Sequence, residues 1–199
     1  MSIRKLLARS ASSMSTWGLR HIARRPAANM PGKIALKLDP QIIAESMGKV
    51  TEGSIVVVGT NGKTTITNMI ADALERQGKT VACNRTGANL AYGVATTLLQ
   101  TKGSVEWGVF ESDELWLAHT LPQVQASYVL LLNLFRDQLD RCGEIDRVQD
   151  AIVQALSESP DTVLLYNADD PLCAMVALRV PNKSVAFGVV KIFISSKTW

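Results

Sequence analysis

The sequence is poor in the residues that build metal and redox centres. It has three cysteines, Cys83, Cys142 and Cys173, none in a C-x-x-C pair, and two distant histidines, His21 and His119. That spacing excludes a zinc ribbon, a thiol-redox motif and a His-based metal site. Isolated thiols suit a reducing, cytoplasmic compartment. Long apolar runs are also missing: none approaches the ~18–20 residues of a membrane span. The longest, "YVLLLNLF" from Tyr128, is interrupted by Asn133 and suits a buried strand. Acidic residues are absent from positions 1–38, which hold eight Lys or Arg. From Asp39 onward 13 basic residues face 18 acidic ones, a net of −5, so the overall +3 belongs to an N-terminal arm. An acidic body argues against a nucleic-acid partner.

The arm, residues 1–38, places Ile3, Leu6, Leu7, Met14 and Trp17 at helical spacing between basic flanks. Three roles fit it: a basic amphipathic helix on an anionic membrane surface, an acid-free, Arg- and Ser-rich organellar transit peptide, or a helix packed on the domain or frayed in solvent. The stretch "MPGKIALKLDP", residues 30–40, reads as a turn followed by a linker or strand entering the domain.

From Ser54 short apolar runs alternate with amphipathic helices. "SIVVVG", "TVAC", "WGVFE", "YVLLLN", "TVLLYN" and "SVAFGV" are the expected strands. "KTTITNMIADALERQG", stopped by Gly78, and "LAYGVATTLLQT" are expected helices. Such alternation predicts an α/β fold, a mainly parallel sheet flanked by helices. Ligands of these sheets gather beyond the carboxyl ends of the strands. Gly59 and Asn61, Asn84, Glu111, Asn133 and Asn167 fall at those ends and predict one polar crevice.

At the first strand's end stands "GTNGKTT", residues 59–65. The common phosphate loop would need glycine at position 57, which is Val57. The shorter loop still joins a buried strand to a helix N-terminus, where backbone N–H groups face an anion. Gly59 and Gly62 permit the turn, Lys63 supplies a mobile positive charge, and Thr64 can place a hydroxyl on Mg²⁺; N-capping by Thr64 or Thr65 is the plainer alternative.

"GTNGKTT" resembles the shortened phosphate loop of the Mur ligase superfamily, ATP-dependent amide-forming enzymes with a P-loop NTPase-like central domain. "TGANLAYG" (86–93), "FESDE" (110–114), "NLFRDQLDRCGEID" (133–146), "LLYNADDP" (164–171) and "PGKIALKLDP" resemble its MurT branch. The resemblance covers residues 31–188 and implies ATP and Mg²⁺ as cofactors. It implies contacts to ATP from Gly59, Thr60, Asn61, Gly62, Lys63, Thr64, Thr65, Asn133 and Asn167. Lys63 and Glu111 would be catalytic, and Thr64 and Glu111 the metal ligands. Asp113 and Glu114 lie near but are equally explained as helix caps or solvated charge.

Two departures from ordinary Mur ligases stand out. "D-Q-L-D" at 137–140 replaces their metal-binding "D-H-L-D", a change shared with the MurT branch. No lysine between Lys102 and Lys183 offers a carbamylation site. The MurT branch implies a GatD-type glutaminase partner, lipid II as substrate, and amidation of its D-glutamate α-carboxyl through an acyl phosphate. It also implies a cytoplasmic location, at the inner membrane face if the arm touches lipid. Such chains continue into a four-cysteine zinc ribbon and further domains, absent from this sequence. The expected division is arm 1–38, incomplete ATP-binding domain 39–188 and unmatched tail 189–199. A chain so divided should bind nucleotide without catalysing alone. The rival assignments are another Mur-type or folylpolyglutamate-type ligase, or a truncated non-catalytic nucleotide-binding module.

Overall fold

The computed structural model describes residues 29–135 and 144–189. The amphipathic stretch before residue 29, the "D-Q-L-D" motif, Cys142 and the tail from residue 190 lie outside the described residues.

Two helices, α1 (Met30–Leu38) and α2 (Ile42–Met47), precede β1 (Val50–Val58). There follow α3 (Lys63–Arg76), β2 (Val81–Cys83), α4 (Ala91–Gln100) and β3 (Val105–Glu111). A single 3₁₀ turn, Glu114–Trp116, leads into α5 (Leu117–Val124) and β4 (Tyr128–Leu131). The described chain ends with α6 (Glu144–Ser157), β5 (Val163–Asn167), α7 (Pro171–Arg179) and β6 (Ser184–Phe187).

The six strands form one sheet in the order β2-β3-β1-β4-β5-β6, and every neighbouring pair is parallel. The expected α/β architecture and all six strands are present. Val56, Val57 and Val58 of β1 are wholly buried, as a central parallel strand covered on both faces requires. Phe110, Val129, Leu131 and Leu164 from the neighbouring strands join Val94, Leu98, Leu121, Ile152 and Leu156 from helices in the core. Gly78, at φ 84°, ends α3 where the sequence places its stop.

Residues 30–38 correct an expectation: the segment read as a turn and linker or strand is helix α1. Pro31 sits in its first turn, where a missing N–H costs nothing. Gly32 lies against α4, its N–H donating to Thr96 Oγ1 at 2.8 Å. A Cβ on Gly32 would stand 1.9 Å from the Tyr92 carbonyl oxygen. The Pro-Gly pair here enables close helix packing instead of a turn.

β1 lies between β3 and β4, so the chain reverses its direction of winding there. Val57 pairs with Glu111 and Val58 with Leu131, which brings the carboxyl ends of β3, β1 and β4 side by side. This is the switch point at which a crevice opens in such sheets.

Candidate functional site

The loop leaving β1 turns through Gly59 at φ 139° and Gly62 at φ 84°, both in the region that favours glycine. At Gly59 the requirement is also spatial, because a Cβ would meet the Asn133 carbonyl oxygen and Leu132 Cβ at 3.0 Å. Gly62 precedes α3 and offers no side-chain cap. The N–H groups of Lys63, Thr64 and Thr65 begin the helix, before any carbonyl of an earlier turn can accept them. They carry the positive end of the helix dipole.

The β4 end clamps this loop. Thr60 N–H donates to the Asn133 carbonyl at 2.9 Å. Asn61 N–H donates to Asn133 Oδ1 at 2.9 Å, and Asn133 Nδ2 donates back to the Asn61 carbonyl at 3.0 Å. Phe135 N–H donates to Thr60 Oγ1 at 3.0 Å. Asn167 braces the same end: its Nδ2 donates to the Leu132 carbonyl at 3.0 Å, while its Oδ1 accepts from Asp169 N–H at 3.0 Å. Both asparagines thus lie at the crevice with their amides engaged by protein.

On the other flank, the Thr64 hydroxyl donates to Glu111 Oε2 at 2.7 Å. Glu111, the last residue of β3, is only 3% exposed. Asn84, just after β2, fixes its backbone: Oδ1 accepts from Glu111 N–H at 2.8 Å and Nδ2 donates to the Glu111 carbonyl at 3.0 Å. The same Nδ2 donates to the Ala88 carbonyl at 2.8 Å, tying down the "TGAN" turn. Gly87 in that turn has φ 73°, and a Cβ there would stand 3.0 Å from Thr64 Oγ1.

Lys63 folds over the loop. Its Nζ donates to the carbonyls of Gly59 at 2.5 Å and Thr60 at 3.5 Å, and to Glu114 Oε1 at 3.1 Å. Glu114 Oε1 also accepts from Gly59 N–H at 3.0 Å. Capping of the 3₁₀ turn falls to Asp113, which accepts from Leu115 N–H. The two acids of "FESDE" that looked alike therefore have different work. Glu114 is missing from the expected site residues; Asn84, expected at the crevice but not as an ATP contact, holds the backbone of Glu111. The donors to Glu114 lie more than fifty residues upstream, so the sequence offers no local signal for it.

The thiols stand apart from this chemistry. Burial pushes the Cys173 thiol up to about 12, with the Asp170 carboxylate adding to the effect. Cys83 is raised to about 11, again mainly by burial.

Fold and site together define a parallel α/β protein with a glycine-containing strand–loop–helix turn at its switch point. Residues 57–198 match the Mur ligase middle domain. The chain belongs to the Mur ligase family. It is 35% identical over 191 residues to the lipid II isoglutaminyl synthase (glutamine-hydrolyzing) subunit MurT of Streptococcus pneumoniae, covering 94% of this chain and 41% of that protein. Against the subunit of the same name from Staphylococcus aureus strain COL it is 34% identical over 185 residues, 87% of this chain and 41% of the relative. The chain thus spans about two fifths of these relatives' length.

Among solved structures, MurF from Acinetobacter baumannii superposes with a TM-score of 0.66 at 22% identity, covering 78% of this chain and 34% of that one. MurF from Thermotoga maritima, solved in complex with ADP, gives 0.64 at 21% identity, over 79% and 36% of the two chains. At such identities the likeness is one of fold. No helix among the described residues is long and apolar enough to cross a membrane.

Proposed function

We propose that this chain is the ATP-binding region of a MurT-type subunit of lipid II isoglutaminyl synthase. The observation that carries the nucleotide reading is the pairing of Thr64 Oγ1 with Glu111 Oε2 at 2.7 Å beside the Lys63 loop. A hydroxyl and a carboxylate are oxygen ligands of the kind a hard divalent cation such as Mg²⁺ takes, so these two residues fit such a site. Thr64 and Glu111 would hold Mg²⁺ there, and the ion would supply positive charge to offset that of the transferring phosphoryl group.

The remaining roles follow from the loop. Gly59, Thr60, Asn61 and Gly62 would form the turn around the phosphates, and the N–H groups of Lys63, Thr64 and Thr65 would face them. Lys63 neutralises charge on the outer phosphates during transfer. Asn133 and Asn167 serve the nucleotide by holding the loop and the crevice's β4–β5 side. In the proposed reaction, the D-glutamate α-carboxylate of lipid II takes the γ-phosphoryl group from ATP, giving ADP and an acyl phosphate. Ammonia attacks the acyl carbon, phosphate leaves with the C–O bond, and the nitrogen loses a proton. A GatD-type glutaminase partner would supply the ammonia; the relatives' designation as glutamine-hydrolyzing supports this. The basic part of the arm that precedes α1 would let the cytoplasmic protein meet its lipid-linked substrate at the inner membrane face.

Isothermal titration with ATP, with and without Mg²⁺, tests the nucleotide site. Saturable binding that weakens at least about tenfold in Lys63→Ala is the expected result, and no binding by the wild-type chain overturns it. Co-purification with a glutaminase subunit and mass spectrometry of the stem peptide test the assignment to the MurT-type reaction. Another Mur-type ligase would instead add an amino acid.

A further inference from the structure

A carboxylate already occupies the donors that a phosphate would need. Glu114 Oε1 accepts from Gly59 N–H at 3.0 Å and from Lys63 Nζ at 3.1 Å, with both side chains only 13% exposed. The other two Lys63 contacts go to loop carbonyls, so its three N–H bonds all point inward. Asp113, not Glu114, caps the 3₁₀ turn, so the Glu114 carboxylate is not engaged in building that turn.

We infer that Glu114 is an internal anion that the nucleotide's terminal phosphate must displace, and so a specificity-determining residue of the loop. A phosphate oxygen cannot share Gly59 N–H and Lys63 with a carboxylate at hydrogen-bond distance without strong like-charge repulsion. A swing of the Glu114 side chain frees both donors and leaves the 3₁₀ turn intact. A singly or doubly charged anion gains too little from the loop to replace a carboxylate held by two donors. A polyphosphate chain, reaching the α3 N–H groups as well, gains more. Glu114 thereby makes the loop select polyphosphate over inorganic phosphate. This role of Glu114 rests on the nucleotide reading above.

The test is isothermal titration of the whole chain with ATP·Mg²⁺, sodium tripolyphosphate and inorganic phosphate. Wild type is compared with Glu114→Gln, Glu114→Ala and Asp113→Asn, each checked for native circular dichroism. Charge-assisted hydrogen bonds of the kind released predict that Glu114→Gln and Glu114→Ala bind tripolyphosphate and ATP·Mg²⁺ roughly tenfold more tightly. Inorganic phosphate, too weak to displace the carboxylate in wild type, should bind measurably to both. Asp113→Asn removes a charge from the same turn but touches neither donor, and should change affinity by less than about threefold. Equal or weaker binding by both Glu114 variants overturns the inference while wild-type binding leaves the nucleotide site standing. Equal tightening by Asp113→Asn also overturns it, as a general field effect. Should neither wild type nor the Glu114 variants bind any phosphate ligand, both the inference and the nucleotide site fall.

Discussion

Lys63 and Glu111 approach the loop from opposite sides, and their substitutions should have different signatures. Lys63→Ala removes charge-assisted contacts worth about 1.5–3 kcal/mol each, so ATP·Mg²⁺ affinity should fall at least tenfold by calorimetry. Glu111→Gln keeps the shape but loses the charge a divalent cation favours. Its expected effect is a flattened Mg²⁺ dependence, with metal-free nucleotide binding little changed. Equal Mg²⁺ dependence in variant and wild type would make Glu111 a structural partner of Thr64.

The same residues mark how much was legible beforehand. Gly59, Gly62, Lys63 and Thr64 lie within six residues in a strand–loop–helix context, so their grouping could be read locally. Glu111 and the three asparagines could be placed because each falls at a strand end. The partners of their amides could not, since the Asn61–Asn133 exchange joins residues 72 positions apart. Glu114 was hidden for the same reason: its two donors lie 55 and 51 residues upstream. Sequence spacing carries no signal for such a contact.

At the scale of elements, α1 was obscured because Pro-Gly is a turn signal when read alone. Only the close surface of α4 turns Gly32 into a packing residue. Gly32→Ala would force its Cβ into the Tyr92 carbonyl and Thr96 Oγ1, and α1 must shift away. A cost of about 1–3 kcal/mol is expected, read as a lower urea midpoint in chemical denaturation.

The amino ends of the central strands are joined by a charge cluster. Lys79 Nζ contacts Glu52 of β1 at 2.7 Å and Glu106 of β3 at 2.9 Å. Lys79 and then the Thr80 N–H hold the Glu106 carboxyl down to about 2, against its ordinary 4.5. A depressed carboxyl contributes its stability above the unfolded value and loses it as pH falls through the folded one. The Tm of wild type should therefore drop between about pH 4.5 and pH 2 more than that of Glu106→Gln. Lys79 is raised by the same partners, so its share is full below 10.5 and is lost as pH rises through its higher folded value. Both side chains are about one third exposed, and added salt should shrink the difference.

For the whole molecule, a ligand that binds only the folded state raises stability by mass action. ATP·Mg²⁺ at a hundred times its Kd should add about 2.7 kcal/mol, visible as a higher Tm by differential scanning fluorimetry. Lys63→Ala, binding at least about tenfold more weakly, should cut that shift to about half or less at the same ATP·Mg²⁺ concentration. Val185 lies on β6, at the edge of the sheet and 45% exposed, and its replacement by Thr should leave the shift unchanged.

The clamp on the loop also sets an order of events during synthesis. A chain emerging from the ribosome displays all of "GTNGKTT" once residue 65 has cleared the exit. At that stage Glu111, Glu114, Asn133 and Phe135, which hold the turn in shape, have not been made. The signature is thus complete about seventy residues before the structure that gives it meaning. A nascent chain stalled short of Asn133 would carry the motif without the clamped loop.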